Sequence, residues 1–300
     1  MTFLICASCI AQDSPFVVVL GTIQDAGSPQ IGCEKKCCEG LFVNPRNDRK
    51  VASLGLIDPT NAQIWLIDAT PDYPSQLRAL RNHAPFEAYE KYTGIFLTHA
   101  HIGHYTGLMY LGKEALNANK VYVHAMPRMK SFLETNGPWN QLVSKENIVL
   151  ADLSDATDLQ LSPKLRVTPF LVPHRDEFSE TVGFKIKGPL KTLLYIPDID
   201  KWSKWSKSIV AEVQAADYAI IDGTFYDGDE IKGRDISEIP HPFIIESMEL
   251  FKGLSKEDKA KIYFIHFNHT NPLINLESDQ AKEVLKAGFN IAQINQVIKL

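Results

Sequence analysis

The chain has 300 residues, a formal net charge of −5, 45% hydrophobic and 22% charged residues, which are the proportions of a soluble globular protein able to bury a sizeable core. It carries no Lys/Arg block that would track a phosphate backbone or an anionic membrane surface, so nucleic acid is not an expected partner. No run approaches the roughly 20 apolar residues that a membrane-spanning helix needs.

The first element is a short apolar stretch from Phe3 to Ala11, closed by Cys9-Ile10-Ala11-Gln12-Asp13. Small residues before a polar break resemble the tail of a secretory signal, although no basic n-region precedes them. Residues 1–14 are therefore read as an export-signal remnant and residues 15–300 as one domain. That reading places the protein in the periplasm or outside the cell, with an ordinary cytoplasmic N-terminus as the alternative and Cys9 as a candidate lipid-attachment residue. All five cysteines, Cys6, Cys9, Cys33, Cys37 and Cys38, lie in the first 38 residues, so the fold is not built on a disulfide framework.

From Phe16 onward, β-rich runs alternate with amphipathic patterns. Strands are expected at Phe16–Gly21, Ser53–Ile57, Gln63–Asp68, Gly94–Leu97, Lys120–Val123, Asn147–Leu150, Arg166–Val172, Thr181–Ile186, Thr192–Ile196, Tyr218–Asp222 and Ile262–His266. Helices are expected at Tyr73–Asn82, His104–Tyr110, Pro127–Asn136, Ser208–Ala215, Pro242–Leu250 and Ser278–Ala287. Asp58-Pro59, Gly137-Pro138, Gly188-Pro189 and Asn271-Pro272 punctuate these as turns. Strands dominate both halves and each half closes with helices. The fold class is thus α/β (α+β), with two sheets face to face and helices outside, and ligands on loops along one edge.

The chemistry concentrates in Thr98-His99-Ala100-His101-Ile102-Gly103-His104, three imidazoles directly after an apolar strand. Imidazole is the commonest nitrogen ligand for zinc, and a strand-anchored loop holds it with little ordering cost. Further ligand-type residues recur at strand ends: His174 after Val167–Val172, Asp198 after Thr192–Ile196, Asp222 closing Tyr218–Ile221, and His266 closing Ile262–Ile265. Side chains of this kind at the mouths of successive strands are how a sheet scaffold assembles a rigid metal site.

This ordered series resembles the metallo-β-lactamase superfamily from about Phe16 to Leu300, and within it the branch around pyrroloquinoline quinone biosynthesis protein B. The branch likeness rests on Val19-Leu20-Gly21-Thr22 with a Cys-rich loop behind it, the run Pro173 to Phe184, the turn Asp222-Gly223-Thr224-Phe225, and Asn268 to Pro272. The resemblance implies a metallo-β-lactamase-like αββα sandwich. It implies a first metal held by His99, His101 and His174, a second held by His104 and His266, and Asp198 bridging the two. Asp68 resembles the buried aspartate that supports ligand histidines, and is otherwise a turn residue; Asp222 is a further auxiliary carboxylate. His269, three residues beyond the last strand, is read as a substrate contact or proton donor. One position departs from the superfamily: its run places Asp immediately before the last His, where this chain has Gly103. The expectation is a tight first metal and a weaker second one, unless Asp222 or His269 supplies a replacement ligand.

In the resembling branch the Cys-rich loop holds a structural zinc. Here Cys33, Cys37 and Cys38 are three thiols with Cys37 and Cys38 adjacent and no evident fourth ligand. A structural metal, a redox pair and free thiols remain the three readings. The expected cofactor of the main site is zinc, one or two ions, with iron or manganese suited by the same nitrogen and oxygen donors. A metal-bound hydroxide attacking a small ester, phosphodiester, lactone or amide is the default chemistry, with Asp198 and His269 in catalytic roles and a small molecule as partner. The alternative is an iron-dependent oxygenase or accessory protein of quinone-cofactor maturation.

Overall fold

The computed structural model describes residues 14–88, 92–231 and 239–300. The export-like segment, with Cys6 and Cys9, lies outside the described residues. No helix among the described residues is long and apolar enough to cross a membrane.

Among the described residues fourteen strands form two sheets of seven. In chain order they are β1 (Phe16–Gly21), β2 (Ser53–Asp58), β3 (Gln63–Ile67), β4 (Tyr92–Phe96), β5 (Val121–Ala125), β6 (Ile148–Asp152), β7 (Leu159–Ser162), β8 (Leu165–Leu171), β9 (Val182–Lys187), β10 (Thr192–Ile196), β11 (Tyr218–Asp222), β12 (Ile262–Ile265), β13 (Asn290–Ile291) and β14 (Val297–Lys299). The first sheet runs β14-β1-β2-β3-β4-β5-β6 and the second β13-β12-β11-β10-β9-β8-β7. The last strand therefore returns to the first sheet, where β14 pairs antiparallel with β1.

The alternation of side chains along these strands explains the layering. Val17, Val19, Leu54, Leu56, Trp65 and Phe96 point between the sheets and meet Val167, Phe184, Ile186, Leu193, Tyr195 and Ile220 in one buried cluster. Their neighbours Val18, Leu20, Ile57, Leu66 and Ile95 face outward and are covered by Leu77 and Leu80 of α1 (Tyr73–His83), Leu133 of α2 (Pro127–Thr135) and Leu142 of α3 (Trp139–Ser144). On the far side Leu194, Ile196, Ile221 and Phe264 pack under Val213 of α4 (Ile209–Ala215), Ile244 of α5 (Ile244–Leu250) and Val284 of α6 (Asp279–Lys286). The inner strands β1, β2, β3, β10 and β11 are buried on both faces, which is why they read as near-continuous apolar runs.

One expected helix differs. Instead of a helix over His104–Tyr110 there is a single α-turn at Ile102–Tyr105 followed by a 3-10 stretch at Thr106–Leu111. The loop after β3 takes the hydrogen bonds that an α-helix would use: Ala69 N–H donates to His104 O at 2.9 Å and Gly107 N–H donates to Ala69 O at 2.9 Å. A Cβ at Gly107 would lie 2.1 Å from Thr70 O, so only glycine allows this approach. The short strands β7, β13 and β14 and the helix α3 were not among the sequence expectations, because two to six residues carry too little periodicity to mark an element.

Candidate metal centre

The strands β3 and β4 are parallel neighbours, as are β10, β11 and β12. Their C-terminal ends therefore open on one edge of the sandwich, where loop residues can converge. Asp68 follows β3, His99 lies just past β4, Asp198 just past β10, Asp222 ends β11, and His266 follows β12. Asp68 and His266 adopt left-handed backbone conformations, with φ of 67° and 68°. Such geometry is uncommon for non-glycine residues and persists where the surroundings over-determine it.

Two sets of four donor atoms result, sharing Asp198. His99, His101, His174 and Asp198 each offer an atom within 4.8 Å of the others, and so do Asp25, His104, Asp198 and His266. In the first set, His99 Nε2 lies 2.9 Å from His101 Nδ1 and 3.3 Å from Asp198 Oδ2, and His174 Nε2 lies 3.3 Å from both His101 Nδ1 and Asp198 Oδ1. In the second, Asp25 Oδ1 lies 3.0 Å from His104 Nε2 and 3.2 Å from His266 Nε2, while Asp198 Oδ2 is 3.8 and 3.9 Å from the same nitrogens. Tetrahedral coordination at about 2.0–2.2 Å puts neighbouring ligand atoms about 3.3–3.6 Å apart; the separations here scatter to either side of that spacing, so each set has the size of a metal-ion site without being closed to ideal geometry.

The second ring nitrogens of His99, His104 and His266 are held from behind. Thr98 N–H donates to Asp68 Oδ1 at 2.8 Å, and the Thr98 hydroxyl bridges the Asp68 carboxylate and His99 Nδ1. His104 Nδ1 lies 2.7 Å from Asp68 Oδ2; a carboxylate only accepts, so a proton sits on Nδ1 and Nε2 is the nitrogen turned toward Asp25 and Asp198. On the second sheet Thr224 donates to Asp222 Oδ1 at 2.7 Å and lies 2.9 Å from His266 Nδ1, the same arrangement. Burial and the adjacent His104 hold the His99 imidazole well below its usual range, in the neutral form a metal requires. Burial opposes protonation of His104, but Asp68 and Asp25 outweigh it and raise this imidazole well above its usual range.

That conflict reflects the charge of the site. Asp68, Asp198 and Asp222 are buried and Asp25 nearly so, yet among the described residues their ion-pair partners are all imidazoles, with no Lys or Arg within 4.0 Å. Asp198 Oδ1, fully enclosed, accepts no hydrogen bond. In the absence of metal the compensating charge is therefore imidazolium, which Asp68 and Asp25 favour at His104, and a bound cation would take over that role.

Two residues at the centre were not singled out from the sequence. Asp25 lies on the loop after β1, and His241 sits with Nδ1 3.2 Å from Asp198 Oδ1 and 2.9 Å from Asp222 Oδ2. Neither Asp222 nor His269, the expected replacements for Gly103, falls in the set with His104 and His266; Asp222 instead groups with Asp198 and His241 in a further set of mutually close donors. Asp222 lies behind the centre, where it also accepts from Ile199 N–H at 3.1 Å. His269 is drawn elsewhere: Asn268 N–H donates to Thr224 O, turning the chain so that His269 joins Cys33, Cys37 and Cys38 in a separate group of mutually close donors. His269 still lines, with His241, Glu230, Asn268 and Lys35, a cavity of about 390 Å³. Burial pushes the Glu230 carboxyl in that cavity up to about 7.

In the thiol group Cys33 Sγ and Cys37 Sγ are 3.7 Å apart, close to the roughly 3.8 Å expected between two thiolates sharing a zinc at about 2.3 Å. Burial and the contact with Cys33 push the Cys37 thiol up to about 12, so without a cation the cluster resists full ionisation.

A family model described as a beta-lactamase superfamily domain matches residues 64–267. Coenzyme PQQ synthesis protein B of Pseudomonas putida (strain GB-1) is 26% identical over 95% of this chain and 100% of its own length. Its counterpart in Methylorubrum extorquens (strain PA1) is 23% identical over 92% and 97%. Among solved structures, Zn(2+)-bound PqqB from Methylobacterium extorquens aligns with a TM-score of 0.78 and 22% identity over 95% of this chain and 100% of that one. A diphosphatase from the PhnP family aligns with a TM-score of 0.64 and 20% identity over 96% and 97%. The two-sheet fold, the ordered ligand-type residues and these matches agree: the chain belongs to the metallo-β-lactamase superfamily, in the branch that resembles PQQ synthesis protein B.

Proposed function

We propose that this protein is a metal-dependent hydrolase acting on a small ester, phosphodiester, lactone or amide through a two-metal centre. The observation that carries the reading is the pair of four-donor sets meeting at Asp198 on one edge of the sandwich. His99, His101 and His174 would hold one ion, His104 and His266 the other, and Asp198 both. Bound there, such ions lower the pKa of water to about 7 and polarise a substrate oxygen. The chain's own part is to fix geometry: Thr98 with Asp68 and Thr224 with Asp222 orient the ligand imidazoles. His241, beside Asp198 at the cavity wall, is placed to contact substrate where His269 was expected to act. His269 instead completes, with Cys33, Cys37 and Cys38, a four-donor set suited to a structural zinc.

A second reading, an iron-dependent or accessory protein of quinone-cofactor maturation, is favoured by the end-to-end similarity to PQQ synthesis proteins. Nitrogen and oxygen donors suit Fe(II) as well as zinc. Metal analysis of purified protein, followed by assay on chromogenic phosphodiesters and lactones before and after chelation, separates the two. Chelator-sensitive turnover supports the hydrolase. Iron as the native metal, with no turnover of any of these substrates in the zinc- or manganese-loaded protein, would reverse the choice.

A further inference from the structure

The superfamily aspartate before the last histidine is absent here, yet the space it would fill is occupied. A Cβ built at Gly103 would lie 2.6 Å from both Cα and Oδ1 of Asp25 and 2.7 Å from its Cγ. Gly103 is not in a left-handed conformation, so space and not backbone strain keeps a side chain out. The glycine and Asp25 are two halves of one substitution: removing the side chain from the helical turn admits a carboxylate from a different loop.

That loop is anchored where it matters. Phe267 N–H donates to Thr22 O and Gln24 N–H to Phe267 O, both at 2.8 Å, which ties the backbone on either side of Ile23 to the residue following His266. Gly27, with φ of 74°, closes the turn behind Asp25 through its N–H to Gln24 O at 2.9 Å. Asp25 Oδ1 is thereby held 3.0 Å from His104 Nε2 and 3.2 Å from His266 Nε2. Resting on the metal-pair reading above, we infer that Asp25 is the carboxylate ligand of the second metal ion, delivered from the loop after β1 in place of the superfamily aspartate at position 103. The second site then keeps two imidazoles and two carboxylates, and the asymmetry expected from Gly103 alone does not arise.

The test is zinc titration of metal-free full-length protein by calorimetry, with metal-to-protein ratios after dialysis, for wild type, Asp25→Ala, Asp25→Asn, Gly103→Ala and His266→Ala. Asp25→Ala should lose one ion per chain and bind it at least 10-fold more weakly, as His266→Ala does. Gly103→Ala should reproduce that loss, because the new methyl displaces Asp25. Asp25→Asn keeps the size of the side chain and carries the test if the alanine variant misfolds by circular dichroism. Wild-type stoichiometry and affinity in the Asp25 variants, with a loss in His266→Ala, would overturn the assignment while leaving the metal pair standing. A wild-type protein with no His266-dependent ion would remove the metal pair and Asp25's role with it.

Discussion

Asp68 and His104 meet at 2.7 Å through Oδ2 and Nδ1, with both side chains fully buried. The contact keeps a proton on Nδ1 and so fixes Nε2 as the nitrogen that faces the centre and would bind metal once its own proton is displaced. Replacing Asp68 with Asn removes the charge and leaves either an acceptor or a donor against Nδ1. The expected outcome is a loss of about 10–100-fold in affinity at the His104 site, the usual cost of removing a partner of this kind. Zinc titration measures it, and unchanged affinity would reduce Asp68 to a turn residue.

His174 and Asp198 lie on loops after β8 and β10 and contribute little to the apolar core. His174→Ala is expected to lose the ion of the first set, and Asp198→Ala to weaken both, each abolishing turnover with an unchanged far-ultraviolet dichroism spectrum. Retention of native metal content and rate in either variant contradicts the ligand series.

Much of this site was legible in the sequence because a strand followed by His or Asp leaves two marks, an apolar run and a ligand-type residue at its end. His99, His101, His174, Asp198 and His266 carry both marks or sit next to a residue that does. Asp25 and His241 carry neither. They stand in loops where an aspartate or histidine is ordinary, and only the hydrogen bonds between Thr22, Gln24 and Phe267 bring Asp25 to His266, which is 241 residues away. The fourth partner of the thiols was hidden likewise, since His269 reaches Cys33 only across the sandwich edge. The sandwich itself was readable because both faces of its inner strands are buried, whereas β13 and β14 depend on neighbours that the sequence does not announce.

The thiol cluster joins the loop after β1 to the loop after β12, the two that carry Asp25 and His266. Replacing Cys33 with Ser should release one zinc per chain and lower the melting temperature, with the His99 and His104 sites still filled. Metal analysis with a thermal melt checks it. Three freely reactive thiols in metal-replete native protein would dispose of the structural zinc.

His124 offers a pH test away from the metal ligands. On β5 its ring stacks on Phe96 with centroids 4.5 Å apart, and its buried Nδ1 has no hydrogen-bond partner among the described residues. Burial lowers its pKa from 6.5 to about 4. The unfolded chain therefore takes up a proton before the folded one does. The stabilisation from keeping this ring neutral is complete above about pH 6.5 and is lost as the pH falls toward 4, by up to about 3 kcal/mol. His124→Phe keeps the stack and removes the titration. Urea unfolding of metal-free wild type and variant should show curves that run together above pH 7 and diverge below 6.5, with the variant losing less stability. Parallel curves down to pH 4 would mean that water or a local opening solvates the ring, and that its burial costs nothing on protonation.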